Sequence, residues 1–156
     1  MAAPKRKESE AKVMNEPLCG TYNPSIDAKG RMSFPNKLRD ILGAEFYLCK
    51  GYDNHYVAVY SVEEYNKYCA ELNKITGPKG TAIRRKLISS ADKQIPDKQG
   101  RIFITQELRE YAGITNDITV IGNLNRAEIW DSAKFAETVN DIDPEEEMAA
   151  LADLVL

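Results

Sequence analysis

The pentapeptide Asp27-Ala28-Lys29-Gly30-Arg31 returns later in the chain as Asp97-Lys98-Gln99-Gly100-Arg101. The echo runs past the pentapeptide at one constant offset. Leu38, Arg39 and Gly43 recur as Leu108, Arg109 and Gly113, and Met32 and Phe34 recur as Ile102 and Ile104. Further on, Val59-Tyr60 matches Ile129-Trp130, and Tyr65 matches Phe135. Two copies are too few for a solenoid, whose repeats each contact only their neighbours in a long stack. They predict a pseudo-symmetric pair of small units that bury each other's apolar faces.

Each Asp-x-x-Gly-Arg lies between two short runs of strand type, so the unit reads as a hairpin or sharp strand-to-strand loop. Gly30 and Gly100 supply positive φ without steric cost. The side chains of Asp27 and Asp97 can accept from backbone N–H groups two residues on and close the turn. Lys29 and Arg31, then Lys98 and Arg101, are expected to point outward at the tips. A short helix follows each loop. Pro35 suits a first helical position and Gly43 its stop; Thr105 suits an N-cap, with Gly113 as the second stop. Strand pairs at Phe46–Lys50 and Tyr56–Tyr60, then Ile118–Ile121 and Ala127–Trp130, complete the units.

These residues resemble the MraZ family of bacterial transcriptional regulators, whose two internal repeats are of the SpoVT/AbrB type. The resemblance rests on Asp27 to Arg31 with Phe34-Pro35-x-x-Leu38-Arg39 behind it. It rests equally on Asp97 to Arg101 with Leu108-Arg109-x-Tyr111-Ala112-Gly113, Val120-Ile121-Gly122 and Glu128-Ile129-Trp130. It spans roughly Cys19 to Asn140, and departs at the basic N-terminal extension and at Thr105, where the first copy has Pro35. It implies an α+β, mainly β fold in which two swapped-hairpin units form a small β-barrel with flanking helices. It also implies assembly into ring-shaped homo-oligomers, of the octamer class. The implied function is binding of double-stranded promoter DNA at tandem repeats before the division and cell-wall gene cluster, usually as a repressor. The implied location is cytoplasmic, on the nucleoid.

Composition sets few limits. The net charge of −3 argues mildly against nucleic acid, but the charges are segregated. Residues 140–156 hold six acidic and no basic residues, whereas 79–101 hold seven basic and two acidic. A local patch matters more than the sum for a DNA-binding protein. Three scattered cysteines, Cys19, Cys49 and Cys69, fit buried thiols in a reducing compartment rather than a disulfide framework or a zinc site. No apolar run approaches the ~18 residues of a membrane span, and the polar N-terminal stretch does not read as a secretory signal.

The chain divides into a flexible basic tail (1–17), a first repeat (18–66), a helical linker (67–90), a second repeat (91–136) and an acidic C-terminal helix (137–156). Ser61-Val62-Glu63-Glu64 is a capping box opening a helix to about Asn73. Thr76-Gly77-Pro78-Lys79-Gly80 reads as a loop; it lacks the order of a P-loop. The helix after it should turn Ile83 and Leu87 inward and Arg84, Arg85 and Lys86 outward. Asp143-Pro144 opens the last helix, whose Met148, Leu151 and Val155 form a stripe that needs a docking surface.

Enzyme chemistry has little support. His55 is the single histidine, and no nucleophile, base and orienter stand together. Asp27 and Asp97 as a catalytic carboxylate pair is weaker than their reading as turn-closing residues. No catalytic residue, cofactor or metal is expected. DNA contact is expected from Lys29, Arg31, Lys98 and Arg101, and loop shaping from Asp27, Gly30, Asp97 and Gly100. Arg39 and Arg109 read as structural or secondary, in an ion pair such as one with the loop Asp. Tyr60 and Trp130 read as core. The competing function is an antitoxin that neutralises a protein partner through the acidic C-terminal helix.

Overall fold

The computed structural model describes residues 16–156. The basic tail expected at 1–17 lies almost wholly outside them. Eight strands and six helices occur among the described residues: β1 Thr21–Tyr22, β2 Arg31–Ser33, α1 Asn36–Leu42, β3 Phe46–Lys50, β4 Val57–Ser61, α2 Val62–Leu72, α3 Gly77–Ile88, β5 Asp92–Gln94, β6 Arg101–Phe103, α4 Gln106–Ala112, β7 Ile118–Asn123, β8 Arg126–Asp131, α5 Ser132–Asn140 and α6 Pro144–Leu151.

Six strands form one antiparallel sheet in the order β1-β7-β8-β4-β3-β5, and β2 and β6 form a separate two-stranded ribbon. The order is palindromic between the repeats. Each repeat's first strand joins the other repeat's hairpin, β1 on β7 and β5 on β3. The hairpins meet at the centre, where β4 pairs with β8 and Ala58 stands opposite Glu128. In the ribbon Met32 stands opposite Ile102. Both pairs join a residue to its own counterpart, so a pseudo-two-fold axis runs through them. The α+β class is as expected. The closed barrel is not observed: β1 and β5 lie at opposite edges of an open sheet, and the ribbon covers one face instead of closing the ladder.

Side chains alternate across a strand, and both faces of this sheet are covered. On one face Phe46, Leu48, Val57, Val59, Ile118, Val120 and Ile129 pack with the ribbon's Met32, Phe34, Ile102 and Ile104 and with Leu38 and Leu108 of α1 and α4. On the other, Cys49, Tyr56, Ala58, Tyr60 and Trp130 pack under Tyr65 and Tyr68 of α2 and Phe135 of α5. Burial on both faces explains why β4 reads as a nearly unbroken apolar run, Val57 to Tyr60. Tyr60 and Trp130 are core residues, as expected.

Local signals held in most places. Ser61 Oγ accepts the N–H of Glu64 at 3.1 Å, and Thr105 Oγ1 that of Leu108 at 3.3 Å. Pro35 differs: it is the residue before the helix, with ψ 128. Phe34 still donates its N–H to Gly100 there, so the chain stays extended for one more residue. Thr76 to Gly80 is not a loop. The helix starts at Gly77, since Thr76 is extended and Pro78 fits the first turn. Ile83 is 39% exposed rather than buried, whereas Leu87 is core. Arg84 turns back, donating from Nη1 to the carbonyl of Ile75 at 2.6 Å and to that of Leu72 at 3.3 Å, which also accepts the N–H of Ile75 just past the end of α2. The stripe that starts on α6 finds little cover among the described residues: Met148 is 74% exposed and Val155, just past the helix, fully so.

Candidate nucleic-acid interface

The two Asp-x-x-Gly-Arg loops have one geometry. Asp27 Oδ1 accepts the N–H groups of Lys29 and Arg31, each at 2.9 Å. Asp97 Oδ1 accepts those of Gln99 and Arg101, each at 2.9 Å. Backbone bonds from Gly30 to Asp27 (3.1 Å) and from Gly100 to Asp97 (2.9 Å) close the turns. Positive φ at Gly30 (93°) and Gly100 (77°) makes this possible. Both Asp carboxyls titrate below the ordinary carboxylate value. The main cause is the backbone N–H of Arg31 or Arg101 donating to the charged form. Asp27 and Asp97 thus contribute side-chain bonds to their turns, and Gly30 and Gly100 a positive φ.

Lys29, Arg31, Lys98 and Arg101 are all exposed. The ribbon brings the two arginines together. Met32 and Ile102 point into the core, so Arg31, Ser33, Arg101 and Phe103 point outward. Arg31 pairs with Phe103, and Arg101 lies two residues along the same strand. That makes Arg31 and Arg101 diagonal neighbours on one face, with backbones on the order of 7–8 Å apart. Phe103, 41% exposed between them, escaped the sequence reading; the alternation Arg101-Ile102-Phe103 was its signal. The loops differ in one respect. Arg101 Nε donates to Asp97 Oδ2 at 3.0 Å, while Arg31 has no ion pair among the described residues.

Arg39 and Arg109 do not pair with the loop carboxylates. Each crosses to the other repeat. Arg109 Nε donates to the carbonyl of Ile104 at 2.9 Å, and its Nη1 points to the carbonyl of Ala28 at 3.4 Å. The guanidinium lies against Gly30, and that of Arg39 lies against Gly100. Arg39 Nη2 also donates to Asn36. The reason is topological: pairing β2 with β6 places each short helix beside the opposite loop, and no local pattern encodes that.

Comparison with known proteins agrees with this two-fold plan. A family model described as "MraZ protein, putative antitoxin-like" matches residues 18–86 and again 87–156. The chain belongs to the MraZ family. A "Transcriptional regulator MraZ" of Finegoldia magna is 43% identical over 122 residues, 77% of this chain and 85% of the relative. One of Acetivibrio thermocellus is 43% identical over 124 residues, 78% and 86% of the two chains. One of Mycobacterium ulcerans is 39% identical over 120 residues, 76% and 83%. Those MraZ relatives carry the name of a regulator, not of an enzyme. The MraZ matches extend beyond each hairpin, to residue 86 and to residue 156. No helix among the described residues is long and apolar enough to cross a membrane.

Proposed function

We propose that this protein is a DNA-binding transcriptional regulator, and that its reading surface is the outward face of the β2–β6 ribbon with the two loops that feed it. The observation that carries this reading is the placement of Arg31 and Arg101 as exposed diagonal neighbours over a ribbon whose inner face is fixed in the core. A two-stranded ribbon fits the major groove, about 12 Å wide. Arginine there can bond guanine O6 and N7, or grip phosphate. Lys29 and Lys98 neutralise phosphates beside them. Asp27, Gly30, Asp97 and Gly100 shape the loops without touching DNA.

One chain offers a small footprint, and the family resemblance supports its multiplication in a ring. In this reading the units at 18–66 and 91–136 act as the two halves of one swapped-hairpin module, and the modules engage tandem promoter repeats of the division and cell-wall cluster as a cytoplasmic, nucleoid-associated repressor. The test is a salt titration of binding to the duplex upstream of the protein's own gene, with a scrambled duplex as control. Tight, sequence-dependent binding with a steep salt slope is expected, and Arg31→Ala should lower that slope by about one unit per lost phosphate contact at each engaged subunit. Equal, weak binding to both duplexes would refute the regulator.

The antitoxin reading has one observation in its favour: α6 and its flanks expose Met148, Leu151, Leu154 and Val155 beside Glu145, Glu146 and Glu147. A toxin gene next to this one would favour it; cell-wall genes there favour the regulator.

A further inference from the structure

We propose that Arg109 and Arg39 are positioning residues that act across the repeat boundary, Arg109 holding the Asp27–Arg31 loop and Arg39 the Asp97–Arg101 loop. Their purpose rests on the reading of those loops as DNA contacts; the cross-repeat hold itself does not.

The geometry around loop 1 is closed on three sides. Ile104 donates its N–H to the carbonyl of Gly30 at 2.8 Å, and its own carbonyl accepts Nε of Arg109 at 2.9 Å. The same guanidinium reaches the carbonyl of Ala28 from Nη1. A Cβ built on Gly30 would stand 2.5 Å from the Ile104 oxygen and 2.7 Å from Arg109 Nε. Gly30 is therefore needed twice, for its backbone angle and for the passage of an arginine from the other repeat. Loop 2 shows the same plan: Phe34 donates to the carbonyl of Gly100 at 3.0 Å, and a Cβ there would stand 2.7 Å from Arg39 Nη1.

Arginine is required because one rigid plane must serve acceptors in two directions. A lysine carries the same charge on a single flexible point and cannot span both carbonyls. The two arginines are not equivalent. Arg109 bonds backbone on both sides of the boundary, whereas Arg39 bonds Asn36 of its own helix and only packs on Gly100. Loop 2 instead closes on itself through Arg101 and Asp97. Loop 1 thus depends on its partner repeat more than loop 2 does, and each loop's shape is set in part by a residue seventy positions away in repeat order from the one expected to set it.

The test compares full-length wild type, Arg109→Lys and Arg39→Lys by amide hydrogen exchange without DNA. In Arg109→Lys the amides of Lys29, Gly30 and Arg31 are expected to exchange on the order of tenfold faster, the scale of one charged hydrogen bond at the low end. Those of Gln99, Gly100 and Arg101 should stay as in wild type. The opposite result, with loop 2 disturbed or neither loop changed, overturns the proposal. Should Arg109→Lys not fold, Arg39→Lys decides in mirror image: faster exchange in loop 2 supports it, and change confined to loop 1 overturns it. A second readout uses the duplex. Arg109→Lys should bind as poorly as Arg109→Gln, and its loss should be non-additive with Arg31→Ala but additive with Arg101→Ala. Full rescue of binding by Arg109→Lys would mean a plain cation suffices, against the proposal. A wild type that binds no DNA would defeat the regulator while leaving the exchange result to stand on its own.

Discussion

Met32 stands opposite Ile102 in the β2–β6 ladder, and the two occupy the same position in their repeats. One residue facing its own counterpart is the mark of exchange between halves. It explains why the inner face of the ribbon is apolar in both copies while the outer face carries an arginine from each.

Gly30→Ala is expected to cost at least about 3 kcal/mol, because backbone strain at φ 93° adds to a Cβ against the Ile104 oxygen. Gly113→Ala is the control. Its φ is 64° and its nearest neighbour is the flexible end of Lys134, so only the left-handed strain of ~1–2 kcal/mol remains. Urea unfolding of the two variants checks the difference; equal losses would remove the steric argument.

Glu128 is buried at the sheet centre and accepts from Trp130 Nε1 (2.9 Å), Asn123 Nδ2 (2.9 Å) and Arg126 Nε (2.8 Å). Arg126, with a side chain 11% exposed, lies over the rings of Tyr52 and Tyr56. Without Glu128, Arg126 keeps only the half-exposed Asp53 carboxylate, 3.9 Å from its Nη2, so Glu128→Ala should cost about 3 kcal/mol, the low end for a broken buried pair. Adding Arg126→Met to it should recover part of that loss in the same denaturation experiment. A double variant less stable than Glu128→Ala would argue against the pairing.

The loops should respond to acid. Asp27 and Asp97 titrate below the ordinary value of 3.8, chiefly because the N–H of Arg31 or Arg101 donates to the carboxylate. A group whose folded pKa is depressed contributes stability above its unfolded pKa and loses it as pH falls through the folded value. The amide resonances of Lys29, Arg31, Gln99 and Arg101 should therefore move on acidification with midpoints below 3.8. Midpoints above 3.8 would contradict the hydrogen-bonded carboxylates.

Thiol chemistry should separate the cysteines. Cys19 is exposed and Cys49 is buried. Burial, with a smaller contribution from Cys69, pushes the Cys49 thiol up to about 12. The thiolate is the nucleophile. A thiol reagent at pH 8 should label Cys19 in the native protein and Cys49 only after unfolding. Peptide mapping of the labelled sites reads this directly, and rapid native labelling of Cys49 would speak against the packing beneath Tyr65.

Much of this was legible along the chain. The loops were, because Asp and Gly do their work within five residues. The helix started by Ser61 was, because a cap is local. Four things were not. Thr76 to Gly80 has the composition of a loop, yet Pro78 suits a helix start equally well. The open sheet was missed because pairing β1 with β7 and β5 with β3 is a long-range choice that the repeat alone leaves undecided. Arg39 and Arg109 were visible as equivalent positions, but their targets lie in the opposite repeat. Glu128 stood out only as part of a motif, since one carboxylate in a strand does not announce that Asn123, Arg126 and Trp130 all donate to it.

The pairing of Ala58 with Glu128 carries a historical consequence. Suppose two identical chains had built this sheet by exchanging strands. The pair on the axis would then be Ala with Ala, or Glu with Glu about 4.5–5.5 Å apart across the ladder and shut away from water. An unlike pair is open only to halves encoded separately. A chain that carries both halves is free of the rule that every substitution happens twice. This chain used that freedom at its centre, where one half supplies a carboxylate with three donors and the other supplies the space.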